Sequence, residues 1–383
     1  MNKKTVAADV ICGLILLIFS LFPLAFSYPA AAVLIIAAGI GFTCFMLHHT
    51  RFFAGLLLLE VISIFTLGLY ASAAILSLVL FASTAAVYIG GCDRIRPIPC
   101  VAVLLSCCVG GVIMYFVTSS PYVAALAFAP LFPLAAQVIT LKVKLQRTQA
   151  IALITLFLAV PVLIAAAIWL YITKGAISVD IIGETVEELR GQLATFLATL
   201  DYKDFIPIAE SQKMLTEENA ALLSTMLFNM LPGIVVVILS VAAYFIQKFT
   251  FTFICVAKKG SGITREMSLF RMSAVSGIVF VLTVIVNLVA AQLSSDSAAL
   301  VATVTQNIYM ILEPGFIVTG FVIFFGRIRE GKGRKPSVFM WFLFIGLAIF
   351  MPSAIVLIVA YYGAVMVIYE EFVKPWIDKK KKA

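Results

Sequence analysis

The sequence predicts an all-α fold, a polytopic transmembrane helix bundle of about 12 spans (10–12 where boundaries are softest) with one amphipathic helical segment outside it. Three observations predict it: an apolar excess, apolar runs of membrane-crossing length, and cationic loops gathered on one side. Sixty-three per cent of the 383 residues are apolar and 12% are charged. A soluble domain is nearer half apolar and about a quarter charged, so this surplus needs lipid around it. The apolar residues come in runs of about 20, which at 1.5 Å per residue cross a hydrocarbon layer of roughly 30 Å. Backbone groups in lipid must bond internally, so spans are helices or closed barrels. Continuous runs such as 234–245, without strand-like alternation, select helices.

The expected spans lie at roughly 6–27, 28–47, 52–70, 71–90, 98–117, 121–140, 150–172, 221–247, 272–292, 299–326, 338–353 and 354–371. Lys3 and Lys4 ahead of an apolar stretch imitate a signal peptide, but no convincing small-residue cleavage site follows, so a retained first helix is expected. Two stretches could each be one helix or a hairpin: 52–90, bent near Gly68 and Tyr70, and 337–371, bent near Pro352. Charge favours hairpins, because cytoplasmic loops collect Lys and Arg. With twelve spans and the N-terminus inside, 23 of the 27 basic residues fall on the inner side. Only Lys174, Arg190, Lys203 and Lys213 fall outside. A single crossing at 52–90 would invert that bias, and a single crossing at 337–371 would put the 379–382 lysine run outside.

The chain therefore divides into an N-terminal bundle (1–172, about seven spans), an acidic extracytoplasmic segment (173–220), a C-terminal bundle (221–372, about five spans) and a basic cytoplasmic tail (373–383). The cell membrane is the expected location, with both termini cytoplasmic. The net charge of +8 reads as a topology signal. Nucleic acid is not an expected partner, since the basic residues form no stripe with interleaved aromatics. The lysine tail is expected to rest on anionic lipid.

The outer segment carries nine acidic and four basic residues between 174 and 220. Ile181, Ile182, Val186, Leu189, Leu193, Phe196, Leu197 and Leu200 recur at three- and four-residue steps, an amphipathic helix. Thr216 suits an N-cap, with Glu217 and Glu218 in the first turn of a helix running on into Leu231-Pro232. Such helices either close off the bundle or form a lid or docking surface.

Enzyme chemistry is not expected. His48 and His49 are adjacent, about 100° apart on a helix, and poor co-ligands for one metal. HExxH and Gly-x-Ser-x-Gly are both absent, and Gly260-Ser261-Gly262 lacks Walker spacing. The seven cysteines (Cys12, Cys44, Cys92, Cys100, Cys107, Cys108, Cys255) avoid the outer segment, so they read as buried thiols, not disulfides. No metal and no cofactor is expected.

What remains is polar chemistry in the wrong solvent. A charged side chain at mid-membrane costs about 2.5–3.5 kcal/mol on insertion scales, and polar groups there face the bundle interior or a wet cavity. The set is Glu60, Gln137, Asn229, Asn287, Gln306, Asn307 and Glu313. Glu60 lies about 12 Å into its span. Glu313 lies mid-span and precedes Pro314-Gly315, which predicts a kinked or broken helix of the kind that exposes backbone groups in transporters. Asn287 and Asn307, on neighbouring antiparallel helices at similar depth with Gln306 beside them, predict an outward-leaning amide cluster. Ligand contacts by Asn287, Gln306 and Asn307, with Glu313 coupling to a proton or cation, are one expectation. Helix-to-helix bonding by the amides, and a protonated, hydrogen-bonded Glu60, are the plainer one. The Ser273-x-x-x-Gly277 pair is a packing contact.

Leu231-Pro232 opening a span after an acidic outer segment, Phe270-Arg271 leading from a basic loop, and the Asn-bearing stretch 307–327 together resemble the YybS-like family of uncharacterised bacterial membrane proteins, best over about 220–335. That family is similar in hydropathy to the substrate-binding membrane subunits of energy-coupling-factor vitamin transporters. The resemblance implies small-molecule binding, with ATP hydrolysis on partner chains, although this chain has about twice the usual number of spans. It implies no particular ligand contact. The expected roles are thus transport or small-molecule binding in the membrane, or else a non-enzymatic scaffold for envelope or division-related assembly. A lipid-modifying enzyme fits least, because no acid, base and nucleophile cluster at an interface. The partners implied are the bilayer and a membrane or cytoplasmic protein. The sequence specifies no oligomeric state.

Overall fold

A computed structural model describes residues 3–47, 50–90, 95–199, 217–258, 263–264, 267, 269–290, 292–293, 295–329 and 352–382. Every regular element among them is helical. In chain order these are α1 Lys3–Ser20, α2 Leu24–Ser27, α3 Pro29–Leu47, α4 Thr50–Ile89, α5 Pro97–Thr118, α6 Pro121–Ala125 and α7 Leu131–Val143. They continue as α8 Arg147–Lys174, α9 Val179–Thr199, α10 Glu217–Lys258, α11 Ala274–Ala290, α12 Asp296–Arg329, α13 Pro352–Ile368 and α14 Lys374–Lys382. A 3-10 turn, Leu126–Phe128, joins α6 to α7, and a π-helical turn, Tyr369–Val373, joins α13 to α14.

Among the described residues, seven helical stretches are long and apolar enough to cross a membrane: Gly68–Ile89, Pro97–Thr118, Pro121–Val143, Arg147–Lys174, Glu218–Cys255, Ser297–Gly326 and Ile355–Asp378. Each overlaps one of the twelve expected spans. Three shorter apolar helices, Ile11–Ser20, Pro29–Cys44 and Ala274–Ala290, overlap three more. The span expected at 338–353 lies almost wholly outside the described residues, as do His48, His49, Cys92, Thr216 and Gly260-Ser261-Gly262.

Local chemistry explains most boundaries. Within α4 the backbone leaves helical geometry at Gly68 (φ 81°, ψ 164°), so this helix is two segments meeting at the residue where a bend was expected. Only glycine adopts such a conformation cheaply. Pro97 opens α5 at a position where a missing N–H costs nothing, and α5 stops at Ser119 in the left-handed region. Ser120 then caps α6 through its Oγ, which accepts from Val123 N at 3.4 Å. The expected single span at 121–140 is thereby built from two helices with the 3-10 turn between them.

The helices sort into two compact units. The first comprises Met1–Trp169 with Leu239–Leu269, the second Leu170–Ile238 with Phe270–Ala383. Neither is contiguous in sequence, because the second half of α10 packs with the N-terminal helices.

The first unit has a core of large side chains, among them Phe19, Phe81, Met114, Ile154, Phe249 and Phe253. Its close approaches use small residues. Ser20 Oγ lies 3.3 Å from Ser106 O across α1 and α5, and a Cβ at Gly110 would overlap that same hydroxyl. Ser83 Oγ donates to Ile246 O at 3.1 Å, tying α4 to α10. Arg147 lies over the Tyr244 ring, 4.6 Å from its centroid.

In the second unit, α11, α12 and α13 bury Phe280, Phe316, Ala360 and Ala364 together. The α11 face includes Gly277, where a Cβ would sit 3.2 Å from Ala364 O and 3.1 Å from Ile368 Cγ1. Two further glycines, Gly320 and Gly363, bring α12 and α13 into backbone contact. The amphipathic helix expected in the outer segment forms α9, and Ser224 Oγ donates to Arg190 O at 2.7 Å to hold it against α10. Lys174 pairs with Glu188 at 2.7 Å, but both side chains are well exposed, so the pair contributes little.

Candidate functional site

Glu313 is the eighteenth of the thirty-four residues of α12, so about 25 Å of helix lies on either side of it. Its Oε1 accepts from the Tyr309 hydroxyl, one turn earlier, at 2.8 Å. Its Oε2 makes no hydrogen bond among the described residues. The Tyr309 ring stacks on Phe280 of α11 at 5.2 Å between centroids and 22° between planes. Phe280 also meets Phe316 at 5.0 Å and Tyr361 of α13 at 5.5 Å. Tyr361 lies within electrostatic reach of the same carboxylate. Tyr309 thus ties the half-buried acid to an aromatic cluster shared by three helices.

The helix does not break behind it. Helical structure runs uninterrupted from Asp296 to Arg329, through Pro314 and Gly315, so of the kinked or broken helix expected there the break does not form. Proline leaves the carbonyl of Met310 without its usual donor, a defect that neighbouring groups in a bundle can absorb. Packing here comes from the segment before α11. Met272 lies over Gly315, where its Sδ would be 2.8 Å from an added Cβ, and Met272 N donates to Thr319 Oγ1 at 3.1 Å.

The three amides do not converge. Asn307 turns towards α10, where its Oδ1 accepts from Gly233 N at 2.7 Å and its Nδ2 donates to Asn229 O at 2.7 Å. Nδ2 also donates to Thr303 O at 2.9 Å, so both amide hydrogens are committed to backbone. Asn287 instead meets Thr305, whose Oγ1 lies 3.3 Å from Asn287 Oδ1. Thr305 and Asn307 are two residues apart, about 200° around the helix, so these contacts occupy opposite faces of α12. Gln306, between them, is exposed.

The Asn307 contact has a local cause. Pro232 sits inside α10. In an undisturbed helix Gly233 N–H would bond the carbonyl of Asn229, and these are the two groups the Asn307 carboxamide takes up. Gly233 is required for that approach, since a Cβ there would lie 2.7 Å from Asn307 Oδ1. Asn229 contributes its carbonyl, and its own side chain is exposed.

Glu60 lies in the first segment of α4, where side chains are outside the description. Gln137 is fully buried in α7. Its Oε1 accepts from Thr140 Oγ1 at 3.4 Å, while Nε2 finds no partner among the described residues. It belongs to the first unit, as does Gln247, a second buried amide that sequence reading passed over in an apolar run.

A charged junction was also missed. Arg271 Nη2 lies 3.2 Å from Glu370 Oε2 and 3.8 Å from Glu371 Oε1, and Glu371 Oε2 accepts from Ala274 N at 2.9 Å. The carboxylate thereby satisfies an orphan donor in the first turn of α11. No sequence spacing signals this, as Arg271 and the two acids are about a hundred residues apart. Among the described residues no group of three His, Cys, Asp or Glu side chains could hold a metal ion.

No family model matches this chain, and neither a curated protein nor a solved structure does.

Proposed function

We propose that this chain is an integral membrane protein that binds or transports a small molecule, with Glu313 exchanging a proton or cation as the ligand comes and goes. Glu313 carries the reading: a mid-helix carboxylate with one oxygen tied to Tyr309 and the other without a donor among the described residues, beside the aromatic cluster of Tyr309, Phe280 and Tyr361. An acid at that depth is costly enough that it marks ion or substrate paths. The resemblance to YybS-like proteins points the same way. The proposed topology has about twelve spans, cytoplasmic termini and the acidic segment outside, supported by the inward bias of the basic residues. Of the amides, Gln306 and Asn287 remain candidate ligand contacts. Asn307 has no donor left to offer.

Glu313→Gln tests this. A glutamine can still accept from Tyr309, so the fold is expected to keep its melting temperature. Purified protein is screened by thermal shift against a panel of small-molecule classes. A ligand at a hundred times its Kd stabilises wild type by about 2.7 kcal/mol, and the variant is expected to lose that shift or its pH dependence. Equal shifts in both proteins, or none across the panel, would count against the reading.

A second reading, a scaffold in envelope or division-related assembly, draws on α9. Its Val179, Ile182, Val186, Leu189 and Phe196 are all exposed, an apolar stripe available to a partner. Photo-cross-linkers placed at Ile182 and Phe196 in cells are expected to trap one specific protein if scaffolding is the role, and only lipid if it is not.

A further inference from the structure

The end of α13 is where apolar helix gives way to charge. The last apolar stretch, Ile355–Asp378, has 24 residues and spans about 36 Å, longer than a hydrocarbon layer of roughly 30 Å, so one of its ends must enter the headgroup region. That end is the C-terminal one, where the π-helical turn and α14 carry every charged residue of the stretch. Glu370 faces Arg271, and Glu371 is shared between Arg271 and the amide of Ala274. Both acids are therefore compensated within the protein. Apolar side chains of the same stretch are exposed: Phe372 by 52%, Trp376 by 58%, and Val373 beside them. Phe372 and Trp376, four residues apart, fall on one sector of the helix, with Val373 beside them. Beyond the turn there remain Lys374 and four consecutive lysines against the single Asp378.

We propose that residues 369–382 form an interfacial anchor selective for anionic phospholipid headgroups, armed by the Arg271 contacts that take Glu370 and Glu371 out of play. Two features of the helix serve this. The apolar sector lies at the acyl boundary with Trp376 at headgroup level, as aromatic belts do. The lysines precede or follow it along the chain and meet lipid phosphates, each contributing about a fivefold preference for an anionic surface. Freed from Arg271, the two carboxylates would cancel two of those five lysines. A zwitterionic surface has no charge to reward them, so lipid selectivity is the property that distinguishes this anchor from a greasy helix end.

The test uses the full chain with Trp169→Phe and Trp341→Phe, leaving Trp376 as the sole tryptophan. It is reconstituted in phosphatidylcholine vesicles, with or without phosphatidylglycerol, containing acyl-brominated lipid. Trp376 is expected to be quenched more in the anionic vesicles, and the difference to shrink as salt shortens the Debye length from about 10 Å at 0.1 M to about 3 Å at 1 M. Replacing Lys379, Lys380, Lys381 and Lys382 by Gln should abolish the difference while leaving the melting temperature unchanged. Arg271→Gln should reduce it, and Glu370→Gln should not. Equal quenching in both membranes overturns the proposal, and so does a difference that survives the lysine substitutions. An unquenched Trp376 overturns it too, by showing the helix turned to water or a protein. A difference indifferent to Arg271→Gln overturns the role given to that side chain.

Discussion

Gly363→Val is expected to cost the second unit about 3 kcal/mol or more, the upper range for overpacking a fixed contact. A Cβ at Gly363 would overlap the Phe316 carbonyl and lie 2.8 Å from Gly320 N, and one at Gly320 would overlap Val359 O. Each obstacle is main chain of the facing helix. It cannot rotate away as a side chain can, so the two helices must separate along the contact that buries Phe316, Ala360 and Ala364. Small residues matter more here than in water, because helix association in lipid rests on close van der Waals packing. The measurement is the melting temperature and monodispersity of detergent-purified protein. Gly13→Ala and Gly41→Ala provide the control: nothing lies within 4 Å of an added Cβ at either site. Both are expected to be neutral or to stabilise by up to about 1 kcal/mol, as helix propensity favours. A Gly363 variant as stable as these controls would mean that α12 and α13 do not meet as described.

How much of this was legible in the sequence follows from which coordinate each feature needs. Position along a helix axis is a matter of counting residues. The seven long apolar helices, the amphipathic α9, the run of α10 through Pro232 and the interruption at Gly68 are all features of that kind, set by local composition. Rotation about the axis depends on which faces pack. The similar depths of Asn287 and Asn307 suggested one cluster, yet packing turns them to opposite faces of α12. Of the kink or break expected at Pro314, the break does not form, for a related reason. A proline states what the backbone loses but not whether a neighbour such as Met272 supports the turn. The acidic pair at Glu370 and Glu371 depended on a π-helical turn, whose extra residue shifts the register of all that follows it. Tyr309, one helical turn before Glu313, was the exception. An i, i+4 hydroxyl–carboxylate pair can be read directly from the sequence, and was passed over only because tyrosine counts as apolar.

The amide of Asn307 offers the second large effect, and it separates two roles for that residue. Pro232 has no N–H for the carbonyl of Phe228, and its ring crowds that carbonyl in the turn beside Asn229 and Gly233. Asn307 supplies an acceptor to Gly233 N and a donor to Asn229 O, each at 2.7 Å. Asn307→Leu withdraws both at once in a setting with little water. Each backbone group left unpaired costs about 1–3 kcal/mol, whereas interhelical bonds in membranes average about 0.6 kcal/mol because lost partners are partly replaced. Two bonds to the turn beside a helix proline have few replacements, so a loss of about 2 kcal/mol is expected, read as a lower melting temperature. Asn307→Asp should fare no better, since it presents a second acceptor to the carbonyls of Asn229 and Thr303 in place of a donor. Pro232→Ala supplies the decisive comparison. With the ring gone, the turn regains its full set of helical donors, and Asn307→Leu in that background should cost less than half as much. That is a coupling of about 1 kcal/mol in a double-mutant cycle. An equal cost in both backgrounds would show that the amide does not repair the proline turn, and would return Asn307 to the set of ligand contacts beside Glu313.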